Sequence, residues 1–272
     1  MKLFVSAILI PLSISVFASE NCAQNPVTLG ENDFKVQISS FLLATSSKHI
    51  LIIPPTGGAN FLDRSWARNF CAAGFNALIV EHWTDDAELA YDLGIHQRFY
   101  SRTQKAIGIV LDHLKDASYI GMMGTSIGGV HTAMAMGIHD RINAAFVITA
   151  GADMPAMIAN SDQEAMVNAW NKRKELFNIP DKATYINLLR EKIEYEPLKL
   201  PRKFEGKDLG MIVATSDTTV PYANQLKLKD HWKPKTVIEY SNNHFWGIVL
   251  SWLWDSKTVI SFFQESAAKK RL

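Results

Sequence analysis

A chain of 272 residues, 47% of them hydrophobic, can bury a sizeable core, and we read it as one domain rather than two small ones. Lys and Arg (28) balance Asp and Glu (27) to a formal net charge of +1, with the signs well mixed. No basic or acidic field points to nucleic acid or to an anionic membrane surface, so partners have to be sought in a site.

The chain opens with "MKLFVSAILIPLSISVFASENC". Lys2, an apolar run from Leu3 to Phe17 and small residues up to Ala18 predict a signal peptide over 1–18, cleaved after Ala18. The run is shorter than the roughly 20 residues a spanning helix needs, and it carries Pro11 and several serines. Ser19-Glu20-Asn21 ahead of Cys22 lacks the small and aliphatic residues of a lipidation signal. The expected mature chain, 19–272, is therefore exported, periplasmic or secreted, with no stable membrane anchor. Export would put Cys22 and Cys71 where they can pair. The alternative keeps Cys71 as an inert core residue on an apolar face with Trp66, Phe70 and Phe75. Two cysteines and eight scattered histidines show no metal-ligand spacing, so no metal site is expected.

Short strand-like segments at 34–38 and 41–44 suggest an antiparallel edge. "HILIIPP" is then a continuous apolar run, the mark of a strand buried on both faces. A helix over about 62–73, ended by Gly74, leads to a second buried strand, "NALIVEH". Ile107, Val110, Leu111 and Leu114 recur at helical spacing within 94–115, ahead of the strand "YIGMMG". A helix over 127–137, the strands "AAFVITA", "LGMIVAT" and "TVIEY", a helix over 222–228 and a last helix follow. Strands alternating with helices predict a mostly parallel sheet covered on both faces. One segment breaks the alternation. From about 152 to 201 the chain is polar and helical, punctuated by Pro155, Pro180, Pro197 and Pro201, and too long for an ordinary connection. We read it as a helical cap inserted over the carboxyl ends of the strands.

Within "YIGMMGTSIGGVH", Ser126 lies between Gly124 and Gly128, where strand gives way to helix. A nucleophilic serine needs an exposed hydroxyl on a sharp strand-to-helix turn, and the residues two before and two after it must then be nearly free of side chain. The serine also needs a base, and the base an acid to orient it, each on a loop after a later strand in the order acid, then histidine. Asp217 directly follows "LGMIVAT", and His244 follows "TVIEY". Asp208 precedes its strand, and Asp230 with His231 precedes the last one, so these lie at the wrong end, Asp230 and His231 reading as solvated; His131 reads as structural. The oxyanion of an acyl-transfer intermediate would take the N–H of Ile127 and a second donor from the early loop "PPTGGAN". Pro54 and Pro55 have no N–H, which leaves Thr56, with Gly57 close behind.

With these residues assembled, the sequence resembles the α/β-hydrolase superfamily from about Phe34 to Phe263. The resemblance rests on Gly124-Thr125-Ser126-Ile127-Gly128, on Asp217 and His244 in order, and on the "PPTGG" loop. It implies an eight-strand sheet, a Ser-Asp-His triad and hydrolysis of esters or other acyl compounds with no cofactor. Many members carry His-Gly where this chain has Pro54-Pro55, which blocks assignment to a subfamily. His82 and Trp83 end a strand at the ligand edge and are candidate pocket residues, as are Phe245 and Trp246 beside His244. For Phe245, Trp246, Trp252 and Trp254 the helical spacing favours plain core packing.

The expected activity is that of an exported serine esterase acting on carboxylic esters of small molecules (EC 3.1.1). Amide or peptide cleavage, or transfer of the acyl group to an alcohol, would use the same triad. From a different class, a non-catalytic envelope binding protein would keep the fold without the geometry.

Overall fold

The computed structural model of this protein describes residues 22–30, 34–81 and 92–270; the segment read as a signal peptide, His82 and Trp83 lie outside the described residues. Eight strands form one sheet: β1 (Gln24–Leu29), β2 (Val36–Phe41), β3 (Lys48–Ile53), β4 (Asn76–Val80), β5 (Tyr119–Thr125), β6 (Ala144–Ile148), β7 (Asp208–Ala214) and β8 (Thr236–Tyr240). Their spatial order is β1-β2-β4-β3-β5-β6-β7-β8. β2 runs antiparallel to both of its neighbours, and all other pairings are parallel.

The apolar runs are continuous because successive side chains serve opposite faces. In β3, Ile50 and Ile52 join the core beneath α1 (Phe61–Ala72) and α8 (His244–Lys269), built with Trp66, Phe70 and Phe263. Leu51 and Ile53 join the other core, with α2 (Ile95–His113), α3 (Ile127–Ile138) and α7 (Tyr222–Trp232). Each large apolar side chain sealed there contributes about 1.5–3 kcal/mol relative to exposure.

The first edge departs from the sequence expectation. The two segments at 34–38 and 41–44 are one strand, β2, and the outermost strand β1 lies upstream in "QNPVTL". Strand β1 is mostly exposed, so it needs no apolar run, and it accommodates Pro26 as an edge strand can. Just before it, Cys22 is disulfide-bonded to Cys71 of α1, with Cα atoms 6.0 Å apart across 49 residues of sequence. Cys71 is thus both a core residue and a paired one.

Between β6 and β7 lie α4 (Met154–Asn160), α5 (Glu164–Leu176) and α6 (Lys182–Lys192). These helices are fastened by buried polar groups. The Arg173 guanidinium, fully buried, donates to the Tyr185 hydroxyl at 2.6 Å and to the Asp92 carbonyl at 2.8 Å. The Glu196 carboxylate accepts from the Asp153 and Met154 amides at 2.9 and 2.6 Å.

Candidate active site

All seven residues of β5 are buried, and the chain turns directly from Thr125 into α3 through Ser126. Ser126 stands at φ 56°, ψ −124°, a conformation that an L residue adopts only under strain. Its N–H continues the sheet ladder to the Ile148 carbonyl at 2.9 Å, while its carbonyl accepts from Val130 at 3.1 Å and starts the helix. The flanking glycines are required by contact. A Cβ at Gly124 would lie 2.2 Å from the Gly128 carbonyl oxygen, and one at Gly128 would lie 2.1 Å from the Ile53 oxygen. The first turn of α3 therefore rests on the chain leaving β3, where "PPTGG" begins.

That loop closes with Gly58 donating to the Pro55 carbonyl at 3.1 Å and with positive φ at Gly57 and Gly58. Thr56 and Gly57 are exposed, and among the described residues neither of their N–H groups donates within the protein. Ile127 is the first residue of α3, so its N–H has no partner inside the helix.

Asp217 follows β7, and two bonds beyond the strand ends hold its loop beside the one after β8: Thr215 donates to the Tyr240 carbonyl and Ser216 to that of Asn242. The Asp217 carboxylate has no solvent-accessible surface. Its Oδ1 accepts from the Thr219 and Val220 amides, both at 2.9 Å, and its Oδ2 accepts from Gln225 Nε2 at 2.8 Å. The fourth partner of this carboxylate is His244 Nδ1 at 2.6 Å. On the other side of the ring, Nε2 lies 2.9 Å from Ser126 Oγ. A carboxylate only accepts, so Nδ1 carries the proton and Nε2 is free to receive one from the serine hydroxyl.

His244 is not on a loop, as the sequence suggested, but is the first residue of α8. Asn243 caps that helix, its side chain accepting from the Trp246 amide at 3.1 Å. An Asn just before a long apolar stretch is a helix-start signal and marked this position. Gln225 was missed. It sits on α7 and bridges Asp217 Oδ2 to the Ala214 amide, a contact that only the tertiary fold creates.

The other candidates lie elsewhere. Asp208 pairs with Lys235 and Lys269 at the opposite end of β7. Asp230 is exposed, whereas His231, expected to be solvated, is only partly exposed and packs its ring on Phe204, the centroids 5.2 Å apart. His131 is buried on α3 between the rings of Phe99 and Tyr100. The core-packing expectation fails for the aromatic residues after His244. Phe245, Trp246 and Trp254 are 63%, 49% and 68% exposed, and only Trp252 turns partly inward, donating to Ser65 Oγ at 2.9 Å. A cleft of about 290 Å³ lined by Leu29, Leu43, His49 and His113 opens near the start of β3 and β4, at the other edge of the sheet from Ser126.

The fold as a whole recurs in solved structures. The chain has the α/β-hydrolase fold. Est1E from Butyrivibrio proteoclasticus superposes with a TM-score of 0.64 at 16% identity, over 89% of this chain and 99% of that one. The acylaminoacyl peptidase of Pyrococcus horikoshii gives a TM-score of 0.65 at 14% identity, over 91% of this chain but 42% of its own. A thioesterase domain from the curacin biosynthetic pathway gives 0.54 at 10% identity, covering 88% and 98%. No protein-family model matches the sequence, and no curated protein does. Within the α/β-hydrolase fold, then, what this chain does has to be argued from its own side chains.

Proposed function

We propose that this chain is an exported serine hydrolase that cleaves carboxylic esters of small molecules through an acyl-enzyme intermediate. The observation that carries the reading is the unbroken relay from Ser126 Oγ through His244 to the buried Asp217 carboxylate. In the proposed reaction His244 Nε2 takes the hydroxyl proton as Ser126 Oγ attacks the carbonyl carbon. Asp217 holds the ring in the tautomer that can accept that proton and stabilises the imidazolium that results. The oxyanion would lie against the Ile127 N–H and a second N–H from Thr56 or Gly57. The imidazolium returns its proton to the leaving alkoxide, and the carbon–oxygen bond breaks. Water then attacks the acyl-enzyme by the same route in reverse, releasing the acid.

Supporting features surround the relay. The exposed rings of Phe245 and Trp246, directly after His244, offer an apolar surface for an acyl or alcohol chain. The α4–α6 segment touches the Asp217 loop, as a cap over the site would. The Cys22–Cys71 disulfide fits an oxidising compartment and supports the export read from residues 1–18.

A fluorophosphonate probe and p-nitrophenyl esters of graded acyl length, applied to the mature protein, test the reading. We expect labelling and turnover that Ser126→Ala abolishes. A folded wild type that neither labels nor turns over would put a non-catalytic binding role in its place.

A further inference from the structure

The inserted helices are hydrogen-bonded to the loop that carries Asp217. Between α4 and α5, Ser161 and Asp162 meet the segment that follows Asp217. Thr218 Oγ1 donates to Asp162 Oδ2 at 2.5 Å, and Thr219 Oγ1 donates to Asp162 Oδ1 at 2.7 Å. The backbone joins in: the Asp162 N–H donates to the Thr218 carbonyl at 3.1 Å, and Ser161 Oγ donates to the Thr219 carbonyl at 2.6 Å. Four bonds thus grip two consecutive residues. The second of them, Thr219, supplies one of the two amides that hold Asp217 Oδ1.

We propose that Asp162 is a positioning residue of the site: by clasping the Thr218 and Thr219 hydroxyls it fixes the turn that orients Asp217, and so couples the inserted helices to His244. The inference rests on the serine-hydrolase reading, because what it sets is the aim of the Asp217–His244 pair at Ser126. The clasp has the chemistry for the task. A carboxylate accepts two hydroxyl donors at once, and charge-assisted bonds of this kind are about twice as strong as neutral ones. The two hydroxyls hold the Asp162 carboxyl below the usual carboxylate range, so Asp162 stays ionised at neutral pH. Without the clasp, the Thr219 amide and its carboxylate partner are free to shift together. Displacements of about 1 Å remote from the chemistry can cost about 100-fold in rate.

The test compares Asp162→Ala, Asp162→Asn and Thr219→Val with wild type, reading the rate of fluorophosphonate labelling at Ser126, kcat and KM for one p-nitrophenyl ester, and the melting temperature. Asp162→Ala is expected to slow both labelling and kcat by about 10-fold with KM within a factor of about two, and Thr219→Val to do the same in part. Asp162→Asn keeps an acceptor oxygen and is expected to recover most of the rate. Because Asp162 is exposed and Thr219 is only half-buried, all three variants should fold. Wild-type labelling and kcat in Asp162→Ala, with or without a lowered melting temperature, would reduce the clasp to a structural tie and overturn the proposal. If wild type itself does not label, the serine-hydrolase reading falls first, and the role of Asp162 falls with it.

Discussion

The two edges of the sheet are built by different rules. At the carboxyl edge the chain holds residues with side chains in left-handed conformations: Ser126 after β5, and Thr149 and Asp153 after β6, at φ 56°, 48° and 60°. It also buries the carboxylate of Asp217 and satisfies it with four donors drawn from its own turn, α7 and α8. At the amino edge the ties are covalent or ordinary. Cys22 is bonded to Cys71, Asn76 binds the Leu43 amide and the Ser46 carbonyl, and Asp208 pairs with two lysines. Among the described residues Lys233, ahead of β8, is the non-glycine residue at positive φ on this side, at φ 49°. Three such residues and a fully satisfied buried carboxylate at one edge, against staples and ordinary ties at the other, are the pattern expected when one edge positions reacting groups and the other holds the fold together.

If that division is right, the largest effects should dissociate cleanly. Ser126→Ala and His244→Ala are each expected to lower kcat/KM by about 10⁴-fold or more, with urea midpoints close to wild type. Asp217→Asn should also cost about 10⁴-fold, because an amide at that position no longer selects the productive tautomer of His244. A carboxyl-edge variant that unfolds the protein instead would break the comparison.

The converse test is at the amino edge. Replacing both cysteines by serine opens a loop spanning 49 residues of sequence, and chain entropy puts the loss near 4 kcal/mol. Urea unfolding should register that loss, while kcat/KM of the folded fraction at 25 °C stays within about two-fold of wild type. Loss of activity without loss of stability would mean that the disulfide serves the site.

A third test lies between the two edges. His131 is on α3, fully buried, and neither of its ring nitrogens has a hydrogen-bond partner among the described residues. Burial holds its pKa down at about 3 against an ordinary 6.5, and His96 is lowered as far, by burial first and by Arg173 second. The folded state therefore binds fewer protons than the unfolded chain across that interval. Stability from each group is present above the unfolded pKa and is lost as pH falls through about 6.5 towards 3. For His131 the loss between pH 7.5 and pH 5 is about 2 kcal/mol. His131→Phe should remove that share of the pH dependence in urea titrations at the two pH values. An unchanged slope would mean that the ring finds a proton partner on acidification.

Much of this arrangement is visible in the sequence because burial on both faces leaves a local mark. The continuous apolar strands, the glycines spaced about Ser126, and Asp217 and His244 each behind a strand all follow from constraints that act within a few residues. What was hidden depends on contacts across the fold. β1 has no apolar run because it is an exposed edge. Gln225 reaches Asp217 only once α7 has packed. Phe245, Trp246 and Trp254 sit in an apolar helix as core residues do, yet all three are left exposed. Periodicity identifies a face of a helix but not what lies against it.

The smallest predicted effect sharpens the contrast most. At φ 56° and ψ −124°, a serine stores of order 1–3 kcal/mol of backbone strain that glycine does not feel. Ser126→Gly should remove this strain, offset in part by the 0.4–1 kcal/mol or so that glycine adds to the unfolded chain's freedom. The expected net is an inactive protein about 1 kcal/mol more stable than wild type, measured by urea unfolding beside Ser126→Ala, which keeps its Cβ and so keeps the strain. Equal stability of the two variants would mean that the turn costs the fold nothing. The left-handed conformation at Ser126 would then be a consequence of packing against β3 and β6, rather than strain held in place for chemistry.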